Sequence, residues 1–389
     1  MGQAGLPVLD LSKADDPLQK PQLLAELHNA LFHVGFLYIT NHGVSPETIS
    51  NLVAHLPPLF DLPADEKRRL SKLNSPHFLG YSGYAEESTL GEKDLREQFD
   101  FATELPVIWE SNENNKQAQE PIKRTTVESQ RDFSKLYWRL RGPNQWPSEK
   151  LVPGFRKAYI EYHNTLQELS YRFVHLIEQA FGIPLGTFDA FFSQSESAGD
   201  EGEHQDVPPQ HRIKLVKYPP SRASGDTFHQ GVGAHKDSSG WLTFLYQVDN
   251  EKGLEVLDSS GKWIPAPPID NTFVVNFGNA FEAATEGAVK ATIHRVKAPE
   301  YTSNPRYSIP FFQGLPLDLT LSEIRSYIPD HVKRLHHESQ SSSNVTSVSN
   351  FLDSRWDNLG ESQLRKWIRS HEDVGRKFYG KDVTEFYLT

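Results

Sequence analysis

The run GAHKDSSGWLTFLYQ, residues 233 to 247, sets His235 and Asp237 two residues apart at the mouth of an otherwise hydrophobic strand pattern. Charge at such a place is costly unless a partner compensates it. Successive side chains of a strand point to opposite faces, so the spacing predicts that His235 and Asp237 project to one side while Lys236 points away. An imidazole nitrogen and a carboxylate oxygen on one face suit a single cation. On spacing alone, a structural hydrogen-bonded pair fits as well. A second H-x-D, His204-Gln205-Asp206, sits in the acidic, proline-rich DEGEHQDVPPQ, where no strand pattern gives its side chains a common face.

A cation site needs a third ligand, and His294 in the later strand-like run KATIHRV is the best candidate. Two histidines and one carboxylate leave three positions of an octahedral ion open, the arrangement that favours non-haem Fe(II) oxygenase chemistry. Downstream, RYSIPFF places Arg306 and Ser308 on one face of a further strand. A guanidinium fork binds a carboxylate through two hydrogen bonds, and a serine hydroxyl adds a donor. Arg306 opens an apolar strand, where a charge without a counter-ion is expensive, and that argues against an ordinary surface ion pair. Phe312 at the end of the same run, with Phe99 and Phe101 of EQFDF, is expected to wall a cavity, although each also suits ordinary core.

These residues need a scaffold. From about 211 to 313 the chain breaks into HRIKLVKYPP, HQGVGAHKD, GWLTFLYQ, GLEVLD, KWIPAPP, TFVVNFG, KATIHRVKA and RYSIPFFQG, each bounded by Gly, Pro, Asn or Asp. Short strands at such spacing predict an antiparallel sandwich or barrel. Before them, the spacing of Phe155, Tyr159, Tyr162, Leu166, Leu169, Phe173 and Ile177 predicts one long amphipathic helix over 154–181, packed on a sheet. The N-terminal region reads as a strand in LPVLDL with Ser12 as cap, a helix over 17–33, a buried strand in GFLYITNHGV, and helices in SPETISNLVAHLPPLFDL and PADEKRRLSKL. The division expected is 1–110 for this helix and strand region, 111–150 for a polar, exposed insertion, 151–330 for the strand-rich core with its long helix, and 331–389 for a serine-rich linker and further helices. The fold class is mainly β with packed helices, α+β.

Composition narrows the function. The 389 residues carry 37% hydrophobic and 23% charged side chains, as ordinary globular proteins do. A net charge of −11 argues against nucleic-acid partners, which need clustered positive charge. With no cysteine, disulfides and thiolate metal sites are excluded, so any metal is held by His, Asp or Glu. No secretory leader or run of about 18 apolar residues occurs, so no membrane partner is expected and a cytoplasmic monomer is the default.

Taken together, these runs resemble the iron(II)- and 2-oxoglutarate-dependent dioxygenases of the isopenicillin N synthase-like group, which includes plant and fungal oxygenases of secondary metabolism. KLVKYPP resembles the family's strand ending in Tyr-Pro, GAHKDSSGWLTFL its metal strand, and GLEVLDSSGKWIPAPP the hairpin that follows. FVVNFGNAFEAATEGAVKATIHRV resembles the segment with the second histidine, and RYSIPFF the co-substrate strand. PVLDLS and GFLYITNHGV resemble the N-terminal region. The resemblance covers about 6–104 and 150–315, and implies a double-stranded β-helix, or jelly roll. It implies that His235, Asp237 and His294 bind Fe(II), and that Arg306 and Ser308, with the hydroxyl of Tyr218, hold the distal carboxylate of 2-oxoglutarate. Dioxygen and a small-molecule substrate complete the reaction, which releases succinate and carbon dioxide. The expected substrate is a small aromatic or hydrophobic secondary metabolite, oxidised by hydroxylation, desaturation or ring formation. A 2-oxoglutarate-independent oxidase and a non-catalytic jelly-roll binding protein are the alternatives. Gly278-Asn279 stands where the family usually has Gly-Asp.

Overall fold

The computed structural model describes residues 5–110, 131–192, 207–220, 229–237, 240–300, 304–339 (backbone only beyond 335) and 357–388. The His204 and Asp206 pair, residues 111–130 and most of the serine-rich linker lie outside them.

The chain enters through β1 (Val8–Asp10) and a short 3-10 turn, Leu11–Asp15. Asp10, rather than Ser12, caps this turn, because its carboxylate accepts from both the Ser12 amide at 3.0 Å and the Ser12 hydroxyl at 2.7 Å. Helix α1 (Lys20–Asn29) widens into a π turn, Ala30–Val34, which Gly35 ends at φ 72°. A Cβ on Gly35 would lie 2.2 Å from Thr292 Oγ1 and 2.3 Å from the Lys290 carbonyl oxygen. Only glycine therefore lets β2 (Phe36–Thr40) begin so close to the segment that leads into His294. Three helices follow, α2 (Pro46–Ala54), α3 (Leu56–Phe60) and α4 (Ala64–Arg69), the first capped by Ser45. Then come β3 (Gly80–Ser82), the two-residue strands β4 (Ser88–Thr89) and β5 (Glu92–Lys93), and β6 (Glu97–Ala102).

Helix α5 (Phe155–Phe181) begins after Gly154 and stops at left-handed Gly182. Its apolar residues recur every three or four positions, and all seven of those named above are buried. Of the stretch expected to stay exposed through 150, residues 131, 132 and 135 are exposed, but Phe133 and the run from Leu136 pack against the core. Tyr137, Trp138 and Leu140 are buried in a 3-10 turn, Leu136–Leu140, because their apolar surface has the C-terminal helices to cover it.

All eight β-like runs of the second half form strands: β7 (Arg212–Tyr218), β8 (Gln230–His235), β9 (Leu242–Gln247), β10 (Leu254–Leu257), β11 (Trp263–Pro265), β12 (Phe273–Phe277), β13 (His294–Lys297) and β14 (Arg306–Phe312). They make the expected jelly roll. One sheet has the order β1-β2-β12-β9-β14-β7-β6-β3 and the other β11-β10-β13-β8. Between the two sheets lie Phe36, Tyr38, Val216, Tyr218, Val274 of the large one and Val232, Leu254, Val256, Val296 of the small one. The opposite face of the large sheet presents Phe99, Phe101, Ile213, Leu215, Phe244, Ile309 and Phe311 to α5. Period-2 alternation thus divides every central strand into a side facing the jelly-roll interior and a side facing the helices.

After β12 come α6 (Asn279–Ala284), α7 (Leu321–Tyr327) and α8 (Asp330–Ser339), and the chain ends in α9 (Leu359–Ser370), α10 (Glu372–Tyr379) and α11 (Lys381–Leu388). Leu364, Trp367, Ile368 and Val374 of α9 and α10 share a core with Phe78, Tyr137 and Trp138. Among the described residues no helix is long and apolar enough to cross a membrane.

Candidate metal and co-substrate site

His235 is the last residue of β8 and pairs directly with His294, the first of β13. Their ring centroids are 4.3 Å apart. Asp237 lies beyond the end of β8, so strand alternation is not what aims it. Three other contacts do. Its Oδ2 accepts from Thr243 Oγ1 and from Asn276 Nδ2, both at 2.7 Å. Its carbonyl oxygen accepts from the Asn279 amide at 2.8 Å. The close approach depends on Gly278, where a Cβ would stand 1.8 Å from the Gly240 carbonyl oxygen. Asp237 Oδ1 is then left facing the imidazoles, 3.7 Å from His235 Nε2 and 3.8 Å from His294 Nε2. One ligand atom from each of the three residues lies within 4.8 Å of the others, a size that fits one metal ion.

The protonation states suit a metal as well. His235 Nδ1 faces the Gly233 carbonyl at 2.8 Å and His294 Nδ1 the Thr292 carbonyl at 3.1 Å. Donation from Nδ1 leaves each Nε2 with its lone pair toward Asp237. Burial, reinforced by His294, pulls His235 down to about 3, so the ring is neutral at ordinary pH. Burial alone would raise Asp237, but the two imidazoles and the bonds from Asn276 and Thr243 outweigh it and hold the carboxyl below the usual range.

Arg306 opens β14 opposite Tyr218 at the end of β7. It is 1% exposed. Its Nη2 donates to Gln247 Oε1 at 3.0 Å, and its guanidinium lies 4.9 Å from the centre of the Tyr218 ring. Nε and Nη1 are buried without a hydrogen-bond partner. Among the described residues no carboxylate pairs with it. Burial lowers its pKa, the sign of a cation short of solvation. Ser308 shares its face of the strand and is buried. A buried guanidinium with two idle donors is a place for an incoming carboxylate. Gln247 of this end and Thr243 of the metal end sit four residues apart on β9, about 13 Å along the strand.

The three aromatic residues expected to wall a cavity divide. Phe312 pairs with Thr243 and Arg212, shares the interior face with Arg306 and Ser308, and is half-buried. Phe99 and Phe101 do not line that interior. They alternate onto the helix face of β6 and pack on Phe60, Tyr81, Trp146, Phe155 and Tyr159. The interior positions of β6 belong to Gln98 and Asp100. Sequence reading also missed Thr243, Asn276 and Gln247, which are single polar residues in apolar strands, the one signal that they carried.

Two family models match the chain: "non-haem dioxygenase in morphine synthesis N-terminal" over residues 6–149 and "2OG-Fe(II) oxygenase superfamily" over 204–314. It is 37% identical to the 2-oxoglutarate-dependent dioxygenase frbJ of Dothideomycetidae sp. (strain 11243), with 96% of this chain and 91% of that protein covered. The chain belongs to the 2OG-Fe(II) oxygenase superfamily. A 2-oxoglutarate-dependent dioxygenase of Gibberella zeae is 31% identical to this oxygenase over 96% of its chain and 91% of the relative. In fold it is similar to a full-length Neurospora crassa protein crystallised in complex with alpha-KG and thymine, with TM-score 0.62, 22% identity, and 87% of this chain and 99% of that one covered. The oxygenase is thus an oxidoreductase whose cofactors are Fe(II) and 2-oxoglutarate. The donor set of two imidazoles and a carboxylate suits ferrous iron, and the idle donors of Arg306 suit a dicarboxylate.

Proposed function

We propose that His235, Asp237 and His294 hold the Fe(II), that Arg306 with Ser308 and Tyr218 receives the distal carboxylate of 2-oxoglutarate, and that the oxygenase oxidises a C–H bond of a small molecule by hydroxylation, desaturation or ring closure. In this reading 151–330 is the catalytic core, closed by the N-terminal region and the C-terminal helices. The supporting observation is that a three-ligand cluster and a buried guanidinium with no carboxylate partner among the described residues share one jelly-roll interior. When bound, the iron would activate dioxygen, the oxidant, with 2-oxoglutarate supplying two electrons as it is converted to succinate and carbon dioxide.

The chain's own residues bind, orient and exclude water. Thr243 and Asn276 fix which oxygen of Asp237 faces the ion. The carbonyls of Gly233 and Thr292 fix the tautomers of the two histidines. Gln247 and the Tyr218 ring hold the Arg306 fork in place before its ligand arrives, so little ordering remains to be done on binding. Of the aromatic residues that favoured an aromatic or hydrophobic substrate, only Phe312 faces the interior, and that substrate class loses most of its support.

The test is anaerobic addition of Fe(II) and 2-oxoglutarate. The wild type is expected to develop the visible metal-to-ligand charge-transfer absorption of such a complex. His235→Ala and Asp237→Ala are expected to lack it while keeping the wild-type circular dichroism. In air, product formation is expected to track succinate release. Turnover without succinate would point to a 2-oxoglutarate-independent oxidase, and absence of the band to a non-catalytic binding protein.

A further inference from the structure

Four cations from three distant parts of the chain converge on one indole. The Lys72, Lys214 and Lys366 ammonium nitrogens and the Arg212 guanidinium lie 5.9, 5.7, 5.3 and 4.4 Å from the centre of the Trp367 ring. Trp367 is buried, and the face of a buried indole is a favourable place for positive charge. Among the described residues the carboxylates here are fewer than the cations. Lys72 sits 2.7 Å from Asp100 and 2.8 Å from Glu87. Arg96 takes the other Glu87 oxygen at 2.8 Å and Asp94 at 3.4 Å. Lys214 has only long approaches, 3.5 Å to Asp100 and 4.0 Å to Glu87. His371, bonded to Glu87 at 3.0 Å, has its pKa lowered by burial and adds no positive charge at neutral pH. Lys72, Arg96, Arg212 and Lys214 therefore outnumber Glu87, Asp94 and Asp100 even with Lys366 set aside.

This cluster continues the wall of the proposed catalytic interior. Lys214 alternates on β7 with Val216 and Tyr218, the residues of the interior core and of the Arg306 contact. Arg212 stands opposite Phe312, and Phe312 opposite Thr243, which holds Asp237. The Asp237 carboxylate is among the charges that act on Lys366. On the other side Asp94 accepts from the Gly233 amide at 3.2 Å, two residues before His235. A structural ion network would balance its charges, since an excess of buried positive charge costs stability.

We propose that the substrate of this oxygenase carries a carboxylate, and that Lys214 and Lys366 receive it beside the iron site. The proposal rests on the Fe(II) and 2-oxoglutarate reading above. The acid would be anchored by charge-assisted bonds while Phe312 supports its carbon skeleton, so the position of the carboxylate sets which C–H bond faces the metal. Arg306 stays with the co-substrate at the opposite end of β14.

The test uses the full-length enzyme with Fe(II) and 2-oxoglutarate under anaerobic conditions, where substrate binding perturbs the charge-transfer band. The probes are the proteinogenic amino acids, their N-acetyl derivatives, and aromatic and aliphatic carboxylic acids, each beside its methyl ester. At least one acid is expected to perturb the band and to stimulate succinate release in air, with its ester about tenfold weaker or more. Lys214→Gln and Lys366→Gln are expected to lose that preference while the unperturbed band and the 2-oxoglutarate affinity stay as in the wild type, and Lys214→Arg to restore part of it. The proposal is overturned if no acid binds, if esters bind as well as their acids, or if both Gln variants keep the wild-type preference. Loss of the band in the wild type itself would instead remove the catalytic reading on which the proposal stands.

Discussion

The amide of Asn276 donates to Oδ2 of Asp237 at 2.7 Å, and with Thr243 it commits that oxygen to the protein so that Oδ1 alone faces His235 and His294. Groups that orient a metal ligand usually contribute about 10- to 100-fold in metal affinity. Asn276→Ala is expected to weaken Fe(II) binding by about that factor, read from an anaerobic iron titration, with the fold intact. An unchanged dissociation constant would deprive Asn276 of its orienting role.

Arg306 offers an unusual stability signature. Its guanidinium is buried without a carboxylate partner among the described residues, so in the absence of 2-oxoglutarate it costs the fold rather than supports it. Arg306→Met is expected to unfold at the wild-type temperature or above when no co-substrate is present. Adding 2-oxoglutarate at 100 times its dissociation constant should stabilise the wild type by about 2.7 kcal/mol and the variant by far less. Arg306→Lys, a point charge in place of a fork, should raise the KM for 2-oxoglutarate, and an unchanged KM would argue against this placement of the co-substrate.

A pH dependence follows from Lys366. Burial first, then Lys214 and Arg212, push its ammonium down to about 8 against the opposing pull of Asp237 and Asp100. Its charge is present below that pH and lost above it. The KM of an acidic substrate is therefore expected to rise as pH climbs through 8, and Lys366→Gln to flatten the profile. The linked effect on folding has the opposite direction. Between about 8 and 10 the unfolded lysine still holds its proton, so this group's contribution to stability grows with pH there.

Phe99 and Phe312 separate packing from the cavity. Phe99 is 0% exposed, so Phe99→Ala is expected to cost about 3–5 kcal/mol in chemical denaturation. Phe312→Ala, at a half-buried interior position, should cost much less and should instead change how tightly 2-oxoglutarate consumption is coupled to product. Equal destabilisation by the two substitutions would contradict the assignment of their faces.

The strands of the second half were legible because Gly, Pro, Asn and Asp bracket each short apolar run, and α5 was legible because its apolar residues keep helical spacing from Phe155 to Ile177. His235, His294 and Arg306 stood out as polar groups at the ends of apolar strands, and Asp237 as a carboxylate just past one of them. The faces of β6 could not be told apart in the same way. All six of its residues are buried, so alternation in EQFDF marks two faces without saying which meets the helices. The N-cap at Asp10 went to the residue whose carboxylate meets both Ser12 donors, a local choice that composition leaves open. Lys72, Lys214 and Lys366 are brought together by tertiary packing alone, and no spacing in the sequence relates them.

Helix α9, near the end of the chain, carries Lys366 and the Trp367 ring on which Lys72, Arg212 and Lys214 converge, whereas every proposed iron and co-substrate residue lies between Tyr218 and Ser308. In the proposed reading the selector therefore joins two stretches of the polypeptide, Lys366 from the tail and Lys214 from the strand that also carries Tyr218 of the engine. A change at Lys366 alone would then alter the half of the selector that comes from the tail while the oxidative machinery stays untouched.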